Sequence, residues 1–269
     1  MKRLIVNADD FGLTLGVCEG IIKAHQEGIV TSTTVLINSP HLEKALALLK
    51  SAPGLDTGLH LNITWGKPLL PLESVKTLVD GNGLFIRNKD FEKIDPEEAA
   101  LEWSAQIQKA KNDGLNLTHL DTHHHTHLHP ALLDRLAELA EEYSLAVRSP
   151  APWVRDFLKS NSIPTTDSTI LEFYGEGNVT VEHLQRLLTG IPDGFTEVMC
   201  HPGFVDEDLK KISSYSDFRQ KELAVLTSIG LKEWILDKGI VLSRFQEIPI
   251  PEKAPDRTCD LIMENPPSY

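Results

Sequence analysis

Short runs of branched apolar residues alternate with stretches of helical period along most of the chain. Arg3 to Ala8 (RLIVNA) is almost wholly apolar, the mark of a strand covered on both faces in a parallel sheet. Thr14 can cap the helix that follows, in which Val17, Ile21, Ile22 and Ala24 recur at helical spacing before Gly28 stops it. Ile29 to Asn38 and Asp56 to Ile63 predict two more strands, separated by an amphipathic helix from His41 to Lys50. Pro96 opens a helix with acids in its first turn, Lys109 and Lys111 in its last, and Gly114 as its stop. Leu115, Leu117 and Leu120 mark a fourth strand, and Pro130 to Tyr143 a helix with Leu132, Leu133, Leu136, Leu139 and Ala140 as its buried stripe. Leu145 to Arg148 predicts a fifth strand and Thr169 to Phe173 a sixth. A helix at Val181 to Leu188, a strand at Thr196 to Cys200, a long helix from Asp217 to Lys238 with a break at Gly230, and a last strand at Ile240 to Ser243 complete the pattern.

About eight strands thus alternate with helices through short connections, an order that implies parallel pairing with right-handed crossovers. With no compositional shift to mark a linker, the economical expectation is a single α/β domain over residues 1–246, a barrel-like (β/α) fold. Residues 247–269 are proline-rich and read as an extended tail. Residues 65–95 break the rhythm with Gly, Pro and Asn and are too long for an idle connector, so they are expected to form a lid or a substrate-binding loop. Residues 151–177 carry no clear period.

Composition narrows the function classes. A formal charge of −13 works against nucleic acid or an anionic membrane as partner, since both need a cationic face. A neutral or cationic small substrate fits better. Apolar runs are too short for a membrane span, and MKR passes directly into strand-like LIV without a signal-peptide pattern, so a cytoplasmic location is the expectation. Cys18, Cys200 and Cys259 are odd in number and widely spaced, which suggests neither a disulfide framework nor a zinc knuckle.

Against that background one stretch stands out. Six of the eleven histidines fall in THLDTHHHTHLHP, residues 118–130, between the fourth strand and the helix at Pro130. The other polar residues suited to chemistry also sit at C-terminal strand ends: Asp9 and Asp10 after the first strand, His60 in the third, Arg148 after the fifth, His201 after the seventh. In a (β/α) barrel these ends share one face, so residues far apart in sequence converge there. One carboxylate and two neutral imidazoles suit a divalent ion while leaving positions open. Asp10, His60 and one or two histidines of the tract can supply them. His123 lies nearest the strand end, and His127 is a further candidate ligand or a neighbour that orients one. Asp9 can take a proton from water, His201 can protonate a leaving amine, and Arg148 can hold the Asp9 carboxylate or form a plain ion pair. Asp121 is either the acceptor that fixes a histidine tautomer or a loop cap. The bland alternatives are a turn capped by Asp9 or Asp10 and a hydrogen-bonded core histidine at position 60.

Taken together, NADDFG near the N-terminus, GLHLN at 58–62, the histidine block, VRSP at 147–150 and CHPGF at 200–204 resemble the YdjC family of carbohydrate deacetylases, whose members include chitooligosaccharide and hopanoid-associated types. The resemblance runs from Leu4 to about Arg244. It implies an irregular TIM-like (β/α) barrel, a divalent metal (Mg²⁺ or Zn²⁺) and hydrolysis of the N-acetyl group of an amino sugar. It implies metal ligands at Asp10, His60 and His123, and likeness to the wider deacetylase pattern adds Asp9 as base and His201 as acid. Homodimers are also an expectation from such families. Substrate would be read by loops 65–95 and 151–177, with Trp65 or Trp153 able to stack on a sugar. Three rivals share some of these residues: a non-haem Fe(II) oxygenase using two histidines and a carboxylate, a glycosidase pairing Asp9 with Glu172, and a non-catalytic metal- or sugar-binding module.

Overall fold

The computed structural model describes residues 1–87 and 91–250. Its strands are β1 (Lys2–Phe11), β2 (Ser32–Val35), β3 (Asp56–Leu61), β4 (His119–Thr122), β5 (Ala146–Val147), β6 (Ser168–Ile170), β7 (Gly194–Cys200) and β8 (Ile240–Leu242). They form one parallel sheet in the order β5-β4-β3-β2-β1-β7-β6, with β8 beside the start of β1. The sheet curls into an open barrel wrapped by helices, the irregular α/β barrel expected. No ladder joins β5 to β6 among the described residues. There the Val147 N–H donates to the Pro164 carbonyl at 2.9 Å, and the Thr165 hydroxyl to the Val147 carbonyl at 2.6 Å.

The helices are α1 (Leu15–Gln26), α2 (Leu42–Leu49), α3 (Pro96–Asn112), α4 (Pro130–Tyr143), α5 (Pro152–Ser160), α6 (Val181–Thr189), α7 (Glu207–Ile212), α8 (Ser216–Leu226) and α9 (Leu231–Asp237). Their starts follow local chemistry: the Thr14 hydroxyl accepts from Val17 N–H at α1, Asp95 caps α3 ahead of Pro96, and Thr180 caps α6. Two apolar clusters pack between sheet and helices. One joins Leu4, Val6 and Ala8 of β1 to Ile21 of α1, Leu184 of α6 and Leu226 of α8. The other joins Leu59 and Leu120 to Trp103 of α3 and Leu136 of α4. Trp103 is wholly buried, and filling a site of that size contributes several kcal/mol: removing an aromatic core side chain costs about 3–5 kcal/mol.

The break expected at Gly230 is present: the residue takes φ 82 ahead of α9, the chain turns between 227 and 230, and residues 217–238 form two helices. Other expectations change. Residues 151–177 hold α5, opened by Pro152 in its first turn. Between β3 and α3 lie two 3-10 turns and an isolated antiparallel bridge, Val79 to Phe85, while residues 88–90 of this expected lid lie outside the described residues. The expected tail boundary falls inside a 3-10 turn, Phe245–Glu247, in which the buried Phe245 ring stacks on His119 with centroids 3.7 Å apart. The rest of that tail from 251, with Cys259, lies outside the described residues. Cys18 and Cys200 are buried free thiols. No helix among the described residues is long and apolar enough to cross a membrane.

Candidate metal centre

β1 runs through the middle of the sheet, and its last residues carry the first carboxylates of the site. In a regular strand Asp9 and Asp10 would face opposite sides. Here the register with β2 shifts between Ala8 and Phe11, and Asp10 adopts φ 68, a left-handed conformation that Asp tolerates better than most residues. The kink brings both carboxylates to the barrel mouth, buried at 2% and 3% exposure.

Asp10 divides its two oxygens. Oδ2 accepts from Arg219 Nη2 at 2.5 Å, whereas Oδ1 is buried without a hydrogen-bond partner. That oxygen lies 3.4 Å from His60 Nε2 and 3.9 Å from His123 Nε2. Ligand bonds of about 2.0–2.2 Å around one cation place neighbouring donors roughly 3–4 Å apart, so these atoms fit a shared divalent ion. A buried carboxylate oxygen with no partner is otherwise costly.

The histidines are aimed by their other nitrogens. His60 Nδ1 is 2.6 Å from Asp121 Oδ1 and 3.2 Å from the Thr34 hydroxyl, leaving Nε2 toward Asp10. Asp121 is itself fixed, its Oδ2 accepting from Thr34 Oγ1 at 3.0 Å and ion-paired with Arg148 Nη1 at 2.9 Å. It is therefore the acceptor that sets the ring of His60, the role carboxylates play behind metal-bound imidazoles. Burial opposes charge on His60, but Asp121, Asp10 and Asp9 outweigh it and push the imidazole up to about 10. His123 opens a 3-10 turn whose next two residues, His124 and His125, take φ 60 and 52. Its Nδ1 meets the Thr64 hydroxyl at 2.7 Å, and burial holds it well below the ordinary histidine range, hence neutral.

The fourth expected ligand is not brought to this cluster. His127 Nδ1 is engaged by the Thr122 hydroxyl at 2.6 Å and Nε2 by the Arg148 carbonyl at 3.1 Å, so neither nitrogen is free to ligate. His127 is a core histidine that braces the strand ends.

Asp9, His60 and Asp121 also place one potential ligand atom each within 4.8 Å of one another. Both oxygens of Asp9 are nevertheless held by the Arg148 fork, at 2.7 and 2.6 Å, and Asp121 is spent on His60, Thr34 and Arg148. This trio lies behind the donor atoms Asp10 Oδ1, His60 Nε2 and His123 Nε2, a set that can hold a divalent metal. Arg148 is fully buried and reaches a third carboxylate, Glu197, through Nε at 2.7 Å. Burial disfavours the Asp9 carboxylate, yet Arg148 prevails and holds it well below the usual carboxylate range. Burial pushes Glu197 up to about 7.

His201 follows β7 on the opposite side, its Nε2 3.9 Å from Asp9 Oδ2. Burial, helped by Arg219 and opposed by Asp9, lowers it to about 4. These groups line a cavity of about 810 Å³ together with Trp65, Tyr174 and Tyr215. Trp153 and Glu172 are not among its lining residues, and the Glu172 carboxylate accepts from the Leu171 N–H. Glu172 is therefore not placed to serve Asp9 as the second acid of a glycosidase. Two residues of α8, Arg219 and Glu222, belong to the site but were not expected. Their signal is faint: with Leu223 and Leu226 they occupy one helix face at spacings of three and four, charged residues on a buried stripe.

The chain is similar to known proteins over most of its length. The family model described as YdjC-like protein matches residues 3–237. A carbohydrate deacetylase of Brevibacillus brevis is 42% identical over 254 residues, covering 91% of this chain and 99% of that protein. One from Thermoanaerobacter pseudethanolicus is 38% identical, covering 91% and 98%. A crystal structure from Enterococcus faecalis V583, provisionally described as a cellobiose-phosphate cleavage protein, is 38% identical with a TM-score of 0.86, covering 91% of this chain and 98% of that one.

Proposed function

The chain belongs to the YdjC-like protein family, and on that premise we propose that it is a divalent-metal-dependent hydrolase that removes the N-acetyl group from an amino sugar. The observation that carries the reading is the unpartnered Asp10 Oδ1 facing the Nε2 atoms of His60 and His123 at the foot of a sugar-sized cavity. Asp10, His60 and His123 would hold the ion. Of the two cations expected, a set with two imidazoles suits Zn²⁺ better than Mg²⁺, which favours oxygen donors. When bound, the ion supplies Lewis-acid polarisation of the acyl carbonyl and acidifies a water at its open positions. Asp9, ionised and oriented by the Arg148 fork, accepts the proton of the attacking water. His201, across the cavity, delivers a proton to the sugar nitrogen as the C–N bond breaks. Trp65 and Tyr174 give the cavity apolar ring faces for a chitooligosaccharide or an N-acetylglucosaminyl glycolipid.

The direct test is acetate release from N-acetylglucosamine oligomers and glycolipids with added Zn²⁺, Mg²⁺ or Mn²⁺, or with chelator. Cation-dependent release that chelator abolishes is expected, and absence of acetate from every substrate would reject the reading.

Cation binding should also be proton-linked. In the cation-free protein His60 lies up at about 10, so at pH 7.5 it carries a proton that must leave before Nε2 can ligate. Calorimetry in buffers of different ionisation enthalpy is expected to find about one proton released per cation, with affinity rising about tenfold per pH unit. The cation-free protein gains stability from the raised His60, present in full below about pH 6.5 and lost as pH rises through about 10. His60→Ala should remove both the binding and the proton. Binding with no proton released would refute the link.

A further inference from the structure

We propose that Glu222 is a positioning residue for His201, holding the imidazole against the cavity and sharing one proton with it, so that the acid of the reaction is the His201–Glu222 pair. The inference rests on the reading above, in which His201 protonates the leaving nitrogen.

Glu222 is wholly buried on the inner face of α8, and its oxygens are used on two sides of His201. Oε2 accepts the backbone N–H of His201, and Oε1 accepts the Tyr215 hydroxyl at 2.5 Å. Oε1 also lies 4.0 Å from His201 Nδ1, a buried nitrogen with no hydrogen-bond partner. A shift of about 1 Å would close that gap to a hydrogen bond. The ring has little other freedom, because Tyr174 and Tyr215 both stand edge-on to it, at 5.6 and 5.7 Å between centroids. Those two tyrosines stack at 4.1 Å, and the Tyr215 oxygen accepts the Gly175 N–H at 3.1 Å. A chain of contacts therefore runs from the loop at the cavity rim through Tyr215 and Glu222 to His201.

A lone buried imidazole is a poor acid at neutral pH. The charged groups around His201 are Asp9 and Asp10 from β1, Arg148 after β5, and Arg219 and Glu222 from α8, with the Tyr174 and Tyr215 hydroxyls beside them. Burial lowers His201 to about 4 and raises Glu222 to about 8, so between these limits the pair keeps one proton, resting on Glu222. In turnover that proton passes to Nδ1 while the Nε2 proton goes to the leaving nitrogen and the C–N bond breaks. His201 ends neutral and Glu222 ionised. The proton taken from water by Asp9 restores the pair through solvent.

The experiment combines pH profiles of kcat with ¹⁵N NMR titration of the His201 ring in the holoenzyme. Wild-type kcat should fall along an alkaline limb near 8. Glu222→Gln should lose about 100-fold in kcat at pH 7 with KM unchanged, and its limb should move to acid by about two units or more. Glu222→Asp should restore the limb near its original position with part of kcat. Tyr215→Phe, which deletes a donor to the carboxylate, should move the limb to alkaline and serves if Glu222→Gln fails to fold. A limb that stays put in both Glu222→Gln and Tyr215→Phe, or in Tyr215→Phe alone where Glu222→Gln cannot be made, overturns the proposal. If wild type releases no acetate, the deacetylase reading fails by itself and the NMR arm decides. A His201 titration displaced by a unit or more in the variant then supports the pairing, and an undisplaced one rejects it.

Discussion

Asp9→Asn is expected to bind one cation as wild type does and to lose about a thousandfold or more in kcat. The amide keeps the shape of the carboxylate and still offers one oxygen to Arg148, which retains Asp121 and Glu197 as partners. It cannot accept a proton. Asp10, His60 and His123 are untouched by the change, so calorimetric cation binding should survive while steady-state turnover disappears. Two other outcomes are informative. Full activity would remove Asp9 from the proton-transfer step, and loss of the cation would make Asp9 a ligand, shifting the centre to Asp9, His60 and Asp121.

Arg148→Met should have the largest effect on folding. The guanidinium is buried among the Asp9, Asp121 and Glu197 carboxylates, so its removal leaves buried negative charge without compensation. Breaking such a buried pair costs about 3–5 kcal/mol, which urea denaturation at pH 7 would read directly. The pH dependence has a definite sign. Arg148 depresses the folded-state pKa of Asp9, so this contribution is present above the unfolded value of about 4 and fades as pH falls below it. The gap between variant and wild type should therefore narrow in acid. A loss below about 1 kcal/mol at pH 7 would show that the cluster is held by other means.

Most of the barrel could be read from period and turn signals, most plainly at β1, whose branched run Leu4, Ile5 and Val6 is buried on both faces. What escaped has physical causes. α7, at six residues, offers too few turns for a period to emerge. In the site, the convergence of Asp10, His60 and His123 follows from strand-end logic, but the choice within the histidine block does not. His123 and His127 differ only in which way the 3-10 turn aims their rings, and that turn depends on two residues at positive φ. Arg219 and Glu222 were hidden for a different reason. On an amphipathic helix a charged residue normally marks the wet face, and only tertiary packing turns these two inward.

The placement of β1 has a consequence for how the protein is made. The strand that bears Asp9 and Asp10 is translated ahead of the other described strands, yet two of the neighbours that flank it, β7 from Gly194 and β8 from Ile240, follow much later in the chain. At ribosomal speeds of 5–20 residues per second, one of its edges waits about 10–50 s for a partner. During that time one edge of a branched, apolar strand is unpaired, the kind of exposure that favours association between nascent chains. On this geometry the site is complete only once β7 and α8, which bring in His201 and Glu222, have both been made.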